Sequence, residues 1–167
     1  GCWGLTLAWL LTDNFENIPV RFYQDDMLPL SKLYSIDTHL KEALGKKVWL
    51  KCGGYLVIEP TEAMVVIDVN SGKTDSHRKE KETYYLKINL EAAKEVARQL
   101  RIRNYSGMIM VDFINMEDKE NNKILLSALD EYLRKDTTKT RLVDMTALGI
   151  VEITRKKERK PLSEWLL

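Results

Sequence analysis

The chain has 167 residues, enough to bury one good core and too few to suggest several domains; 44% hydrophobic and 31% charged residues argue against a disordered or fibrous protein. A net charge of +1 excludes an overall polycation. Cys2 and Cys52 form no CxxC, so neither a disulfide framework nor a structural zinc site is indicated, and a reducing, cytoplasmic setting is expected.

In chain order, the first feature is an apolar run from Cys2 to Leu11. It is shorter than the roughly 18 residues of a membrane span and no basic stretch precedes it, so neither a membrane span nor a signal peptide is expected. Residues 1–30 read as the end of a preceding subdomain or as an appended segment, 31–162 as the domain proper, and 163–167 as a truncated linker. Ile36, Leu40, Ala43 and Leu44 predict a helix over 35–44, stopped by Gly45. Strands are predicted at 47–51, 55–58 and 63–69, the last two as a hairpin across Glu59-Pro60-Thr61-Glu62 with a well-buried second strand. From 83 to 103, Leu86, Leu90, Ala93, Ala97 and Leu100 form the stripe of a long amphipathic helix. A buried strand at 108–114, a helix at 119–134 and strands at 141–145 and 149–154 complete the pattern. This order predicts a mixed α/β (α+β) domain, a central mixed sheet with packed helices.

Charge is unevenly spread. Residues 73–103 hold nine Lys/Arg against five Asp/Glu and residues 134–160 nine against four, whereas 1–31 hold one Arg against four acids. A polyanion steered to one face and ordinary solvated helix faces both fit this asymmetry.

The chemistry concentrates on two apolar strands that each carry an aspartate near the C-terminal end, in Val65-Val66-Ile67-Asp68-Val69-Asn70 and Met110-Val111-Asp112-Phe113-Ile114-Asn115. A carboxylate in such a strand is expected to lose hydration and to need a cation or hydrogen bonds in return. If the strands are neighbours, Asp68 and Asp112 converge on one hard cation, for which carboxylates plus waters suit magnesium. The period of two puts Asn70 on the side of Asp68, Gly72 allows a tight turn, and Lys73 can meet a phosphate. A strand-ending cap and a common Asn-Ser-Gly turn explain the same residues without a metal.

Gly-Gly-Tyr-Leu-Val-Ile-Glu-Pro-Thr-Glu-Ala at 53–63 and Ile-Asp-Val-Asn-Ser-Gly-Lys at 67–73 strongly resemble the ribonuclease E/G family. So do Asn89-Leu90-Glu91-Ala92-Ala93, Glu95-Val96-Ala97-Arg98-Gln99-Leu100-Arg101 and Val111-Asp112-Phe113-Ile114-Asn115-Met116, and the resemblance covers roughly residues 28–162. It implies a deoxyribonuclease-I-like catalytic subdomain in which Asp68 and Asp112 bind magnesium and Asn70 supports them. The implied activity is metal-assisted endonucleolytic hydrolysis of single-stranded RNA, leaving a 5′-monophosphate downstream. An RNA-binding or assembly module, or a phosphodiesterase acting on DNA, are the competing functions. The family's OB-type, ribonuclease-H-like and 5′-end-sensing parts are not visible in this stretch. Its zinc-sharing CxxC is also absent, so a homo-oligomer is expected of the full enzyme and no zinc-linked dimer of this chain. Arg155, Lys156 and Lys157 in the basic tail are candidates for RNA phosphates, at a gain that salt erodes. His39 and His77 read as surface residues, Cys52 as a partly buried small side chain, and Trp49 and Trp165 as packing rather than base-stacking residues.

Overall fold

The computed structural model describes residues 23–72 and 78–165. Lys73, His77 and most of the expected N-terminal segment therefore lie outside the described residues. The chain divides into two compact units, 1–41 and 42–167, and the expected boundary after residue 30 falls within the first.

In the first unit the Asp25 carboxylate accepts hydrogen bonds from the Met27 and Leu28 N–H groups (2.9 and 3.1 Å), an Asx turn that leads through Pro29 into α1 (Leu30–Leu33). Helix α2 (Ile36–Leu44) begins in this unit, with the predicted spacing, yet none of its residues is buried.

The second unit is built on a six-stranded sheet, in the order β1 (Lys47–Trp49), β2 (Tyr55–Pro60), β3 (Met64–Asn70), β4 (Gly107–Asp112), β6 (Ile150–Arg155), β5 (Thr140–Met145). Among the described residues only the β3–β4 pair is parallel. A parallel pair needs a long crossover, and α3 (Arg78–Arg103) supplies it. Helix α4 (Lys119–Arg134) leads from β4 to β5, with Asp118 capping its start by accepting from the Glu120 N–H (2.8 Å). No helix of the described residues is long and apolar enough to cross a membrane.

Alternation along the strands decides the core. Leu56, Ile58, Val65, Ile67, Val69, Ile109, Val111, Val151 and Ile153 are buried, together with Ile88, Ala92, Ala93, Val96, Ala97 and Leu100 of α3 and Leu125, Leu129 and Leu133 of α4. The near-continuous apolar runs predict buried strands, and the structure buries one side of each. Val66, Asp68, Met108 and Asp112 alternate with the core residues and are exposed, so among the described residues this region of the sheet is covered on one face only. The α3 stripe is also rotated from the predicted one. Leu86 and Leu90 are half-buried, while polar Asn89, Gln99 and Arg103 lie inside. They are tolerated there because they are bonded: Gln99 donates to Glu95 (2.7 Å), and Arg103 donates to Gln99 and to the Gly45 carbonyl (both 2.7 Å).

The outer strands are irregular. β1 has three residues, and the β5–β6 register shifts between Leu142 and Asp144. Trp49 and Trp165, expected to pack, are 66% and 69% exposed. Trp49 projects from the open face of an outer strand, and Trp165 follows a short 3-10 turn (Leu162–Glu164) whose residues are not buried. His39 is exposed and Cys52 partly buried, as the sequence suggests.

Candidate active and metal centre

In the parallel pairing Asp68 stands directly opposite Asp112. Their strands are about 5 Å apart, and both side chains belong to the open face, at the C-terminal ends of β3 and β4. Both aspartates are exposed, so the expected loss of hydration does not occur: the uncovered face leaves them in water. What makes the pair unusual is repulsion. Like charges directly opposite in a sheet are destabilising, and among the described residues neither carboxylate has a basic ion-pair partner.

β3 extends through Asn70, and the Asn70 Nδ2 donates to Asp68 Oδ2 (2.7 Å), fixing one carboxylate oxygen. Among the described residues no group of three or more His, Cys, Asp or Glu side chains comes together. The donor set is thus two carboxylates and an amide beside open solvent. That suits a hard cation such as magnesium, which keeps most of its waters and takes one or two carboxylates.

The surrounding backbone is held from three sides. A Cβ on Gly54 would lie 2.8 Å from the Asn70 carbonyl oxygen, and one on Gly72, which has φ +70°, would lie 2.9 Å from the Gly53 carbonyl oxygen. Glycine at both positions lets the β1–β2 loop close on the end of β3. From α3, Glu91 accepts hydrogen bonds from the Lys51 and Cys52 N–H groups (2.6 and 3.1 Å). Burial alone would raise the Glu91 pKa, but these bonds, the Cys52 side chain and the Lys51 charge hold it below the usual range. Burial pushes the Cys52 thiol up, and Glu91 adds to that effect, so the thiol stays protonated at neutral pH. Two residues beyond β4, the fully buried Asn89 amide donates to the Ile114 carbonyl (2.8 Å) and accepts from the Ile114 N–H (3.1 Å).

Of the expected RNA contacts, Arg155, Lys156 and Lys157 do not gather at this centre. Arg155 is buried: its guanidinium donates to Asp136 (2.8 and 3.4 Å), to the Asn104 side chain (2.8 Å) and to the Tyr105 carbonyl (3.0 Å). With its donors committed inside the fold, it is not available to a phosphate, which corrects the sequence reading. Lys156 and Lys157 are exposed, and Lys156 pairs with Glu158 (3.3 Å). They follow the end of β6 that lies opposite Gly107, whereas Ile150 at its other end lies opposite Asp112. Sequence reasoning also passed over Asn89 and Glu91 as supports. Their signal was the family-like run Asn89-Leu90-Glu91-Ala92-Ala93 that holds both.

Fold and site together define a mixed α/β domain with a two-carboxylate centre at the ends of a parallel strand pair. A model of the Ribonuclease E/G family matches residues 9–158, and the chain belongs to that family. It is 41% identical over 138 residues to Ribonuclease G of Escherichia coli (strain K12) and 43% identical over 138 residues to Ribonuclease G of Haemophilus influenzae. To Ribonuclease E of Nostoc sp. it is 43% identical over 139 residues. Each match covers 83% of this chain but only 28%, 28% and 20% of the respective relative, so the chain spans less than a third of their length.

Proposed function

We propose that this chain is the catalytic segment of a magnesium-dependent endoribonuclease that hydrolyses phosphodiester bonds of single-stranded RNA. The observation that carries the reading is the register of Asp68 on Asp112, two solvent-facing carboxylates with no basic partner among the described residues, in a chain of the ribonuclease E/G family. Names of relatives that are ribonucleases support RNA as the substrate.

Asp68 and Asp112 would hold the cation, and Asn70 would keep the Asp68 carboxylate in a single orientation through its 2.7 Å hydrogen bond. Magnesium supplies Lewis acidity toward water and positive charge against the phosphoryl group in its transition state. The bare carboxylates repel a phosphodiester, so RNA binding beside the centre is expected to be weaker, and not lost, without the cation that they hold. Their exposure leaves the open face free for a polymer to lie across the sheet. Water adds at phosphorus as the bond to the 3′-oxygen breaks, leaving a 3′-hydroxyl upstream and a 5′-monophosphate downstream. A side-chain nucleophile is not needed.

The test is cleavage of a 5′-monophosphorylated single-stranded RNA, and of the matched DNA, in magnesium and in chelator, by the chain and by Asp68→Asn and Asp112→Asn. Each substitution is expected to lower the rate at least about 100-fold with the fold retained in circular dichroism. Cleavage that survives both substitutions, or chelation, overturns the metal reading. RNA binding without cleavage would point to a binding or assembly module, and equal cutting of DNA to a less selective phosphodiesterase.

A further inference from the structure

The open face carries a second group of residues beside the carboxylates. Lys47 and Trp49 alternate with half-buried Val48 on β1, and Trp49 pairs in register with Tyr55 of β2. The two rings are tilted at 60° with centroids 5.2 Å apart, and Lys47 Nζ lies 4.0 Å from the indole centroid and 3.5 Å from the phenol centroid. The indole remains 66% exposed. A tryptophan so placed adds little to the core, and its exposure keeps a large apolar surface in contact with water.

The register ties this group to the candidate centre. Lys47 is opposite Val57, Val57 opposite Asp68 and Asp68 opposite Asp112, so the four residues form one row across the sheet. In the adjacent row Trp49 is opposite Tyr55 and Tyr55 opposite Asn70. With strands about 4.8 Å apart and about 3.4 Å per residue, Tyr55 lies about 8 Å and Trp49 about 12 Å from Asp68, measured between backbones. That is the reach of a nucleotide neighbouring one whose phosphate meets the carboxylates.

We propose that Lys47, Trp49 and Tyr55 form a stacking platform for a nucleobase of single-stranded RNA beside the scissile phosphate; this rests on the ribonuclease reading above. Every base has a π-face, so aromatic platforms grip single strands without reading sequence, and a cation beside the rings adds attraction for the backbone. A duplex keeps its bases stacked inward and presents no free face to the platform. The arrangement therefore also selects single strands. It supplies the grip on substrate that Arg155, committed to Asp136, does not.

The test uses the whole chain in chelator with a 5′-monophosphorylated single-stranded RNA bearing one 2-aminopurine, moved along the oligonucleotide position by position. At one position the fluorescence is expected to be quenched on binding. Trp49→Ala should remove that quench and weaken binding about tenfold, Trp49→Phe should restore most of both, and an abasic site at that position should make Trp49→Ala no worse. Unchanged affinity and unchanged quench in both Trp49→Ala and Tyr55→Ala, or an equal tenfold loss with the abasic oligonucleotide, would overturn the platform. The two readings fail separately: Asp68-dependent cleavage insensitive to Trp49→Ala sinks only the platform. Trp49-dependent quenching without cleavage sinks only the nuclease.

Discussion

A methyl group on Gly54 would press against two neighbours at once, the Asn70 carbonyl oxygen at 2.8 Å and Ile88 Cγ2 at 3.0 Å. The first is backbone and the second belongs to the core, so neither can swing aside. Gly54→Ala is expected to lower stability by about 1–3 kcal/mol in urea denaturation and to reduce cleavage further, because Asn70 moves and with it the Asp68 carboxylate. A variant with native stability and native rate would show that the loop yields freely. At this scale the sequence was most informative where a residue type is out of keeping with its neighbours. Asp68 and Asp112 are acids inside Val-Ile-rich runs, and their pairing follows once the two runs are adjacent strands. Arg155 was misread because it ends a strand whose partner for it, Asp136, lies in the loop after α4, and the pairing exists only after folding. Trp49 was misread because composition does not reveal that its strand is an outer one with one face uncovered.

Helix α3 acts as a brace between the two halves of the site. Glu91 ties the loop leading into β2, and Asn89 ties the segment that leaves β4. Asn89→Ala would leave the Ile114 N–H and carbonyl without their amide partner, at about 1–3 kcal/mol for each group that water cannot reach. A lower urea midpoint with an unchanged slope, and faster hydrogen exchange at Ile114, are the expected readouts; exchange as slow as in the parent chain would show that the clamp is dispensable. The α-helices and strands of the second unit were legible in order, the helices from apolar spacing of 3.6 and the central strands from apolar runs rich in β-branched residues, whereas α1 was not. The inward side of α3 was less legible. Asn89, Gln99 and Arg103 lie in its buried stripe, and a hydrophobicity pattern places such residues outside. Residues 113 and 114 read as strand but leave the ladder after Asp112, because Asn89 rather than a neighbouring strand takes the hydrogen bonds of Ile114.

Across the whole second unit, the ion pair of Asp136 with Arg155 joins the loop after α4 to the end of β6, with side chains only 3% and 4% exposed. Burial would raise the Asp136 pKa, but Arg155, Thr138 and Thr140 outweigh it and hold the carboxyl below the usual range. A depressed folded pKa contributes stability that is fully present above the unfolded value, about 3.9, and is lost as pH falls through the folded value. Denaturation midpoints should therefore hold near neutrality and drop below about pH 4. Asp136→Asn should be less stable by about 3–5 kcal/mol at pH 7, since Arg155 would keep its charge in the interior, and should show a shallower acid drop. An acid profile identical to the parent's would rule out this pair as the source. The irregular outer strands have a consequence of their own. Among the described residues β1 and β5 have no partner strand on their outer sides, which invites strands from other molecules to add, yet β1 is three residues long and carries Lys47, and β5 is interrupted between Leu142 and Asp144 beside charged Arg141. Neither side offers a flat, unbroken template, so intermolecular β-pairing is discouraged from within the sheet itself, and the face that meets RNA in this proposal can stay open without seeding aggregates along its margins.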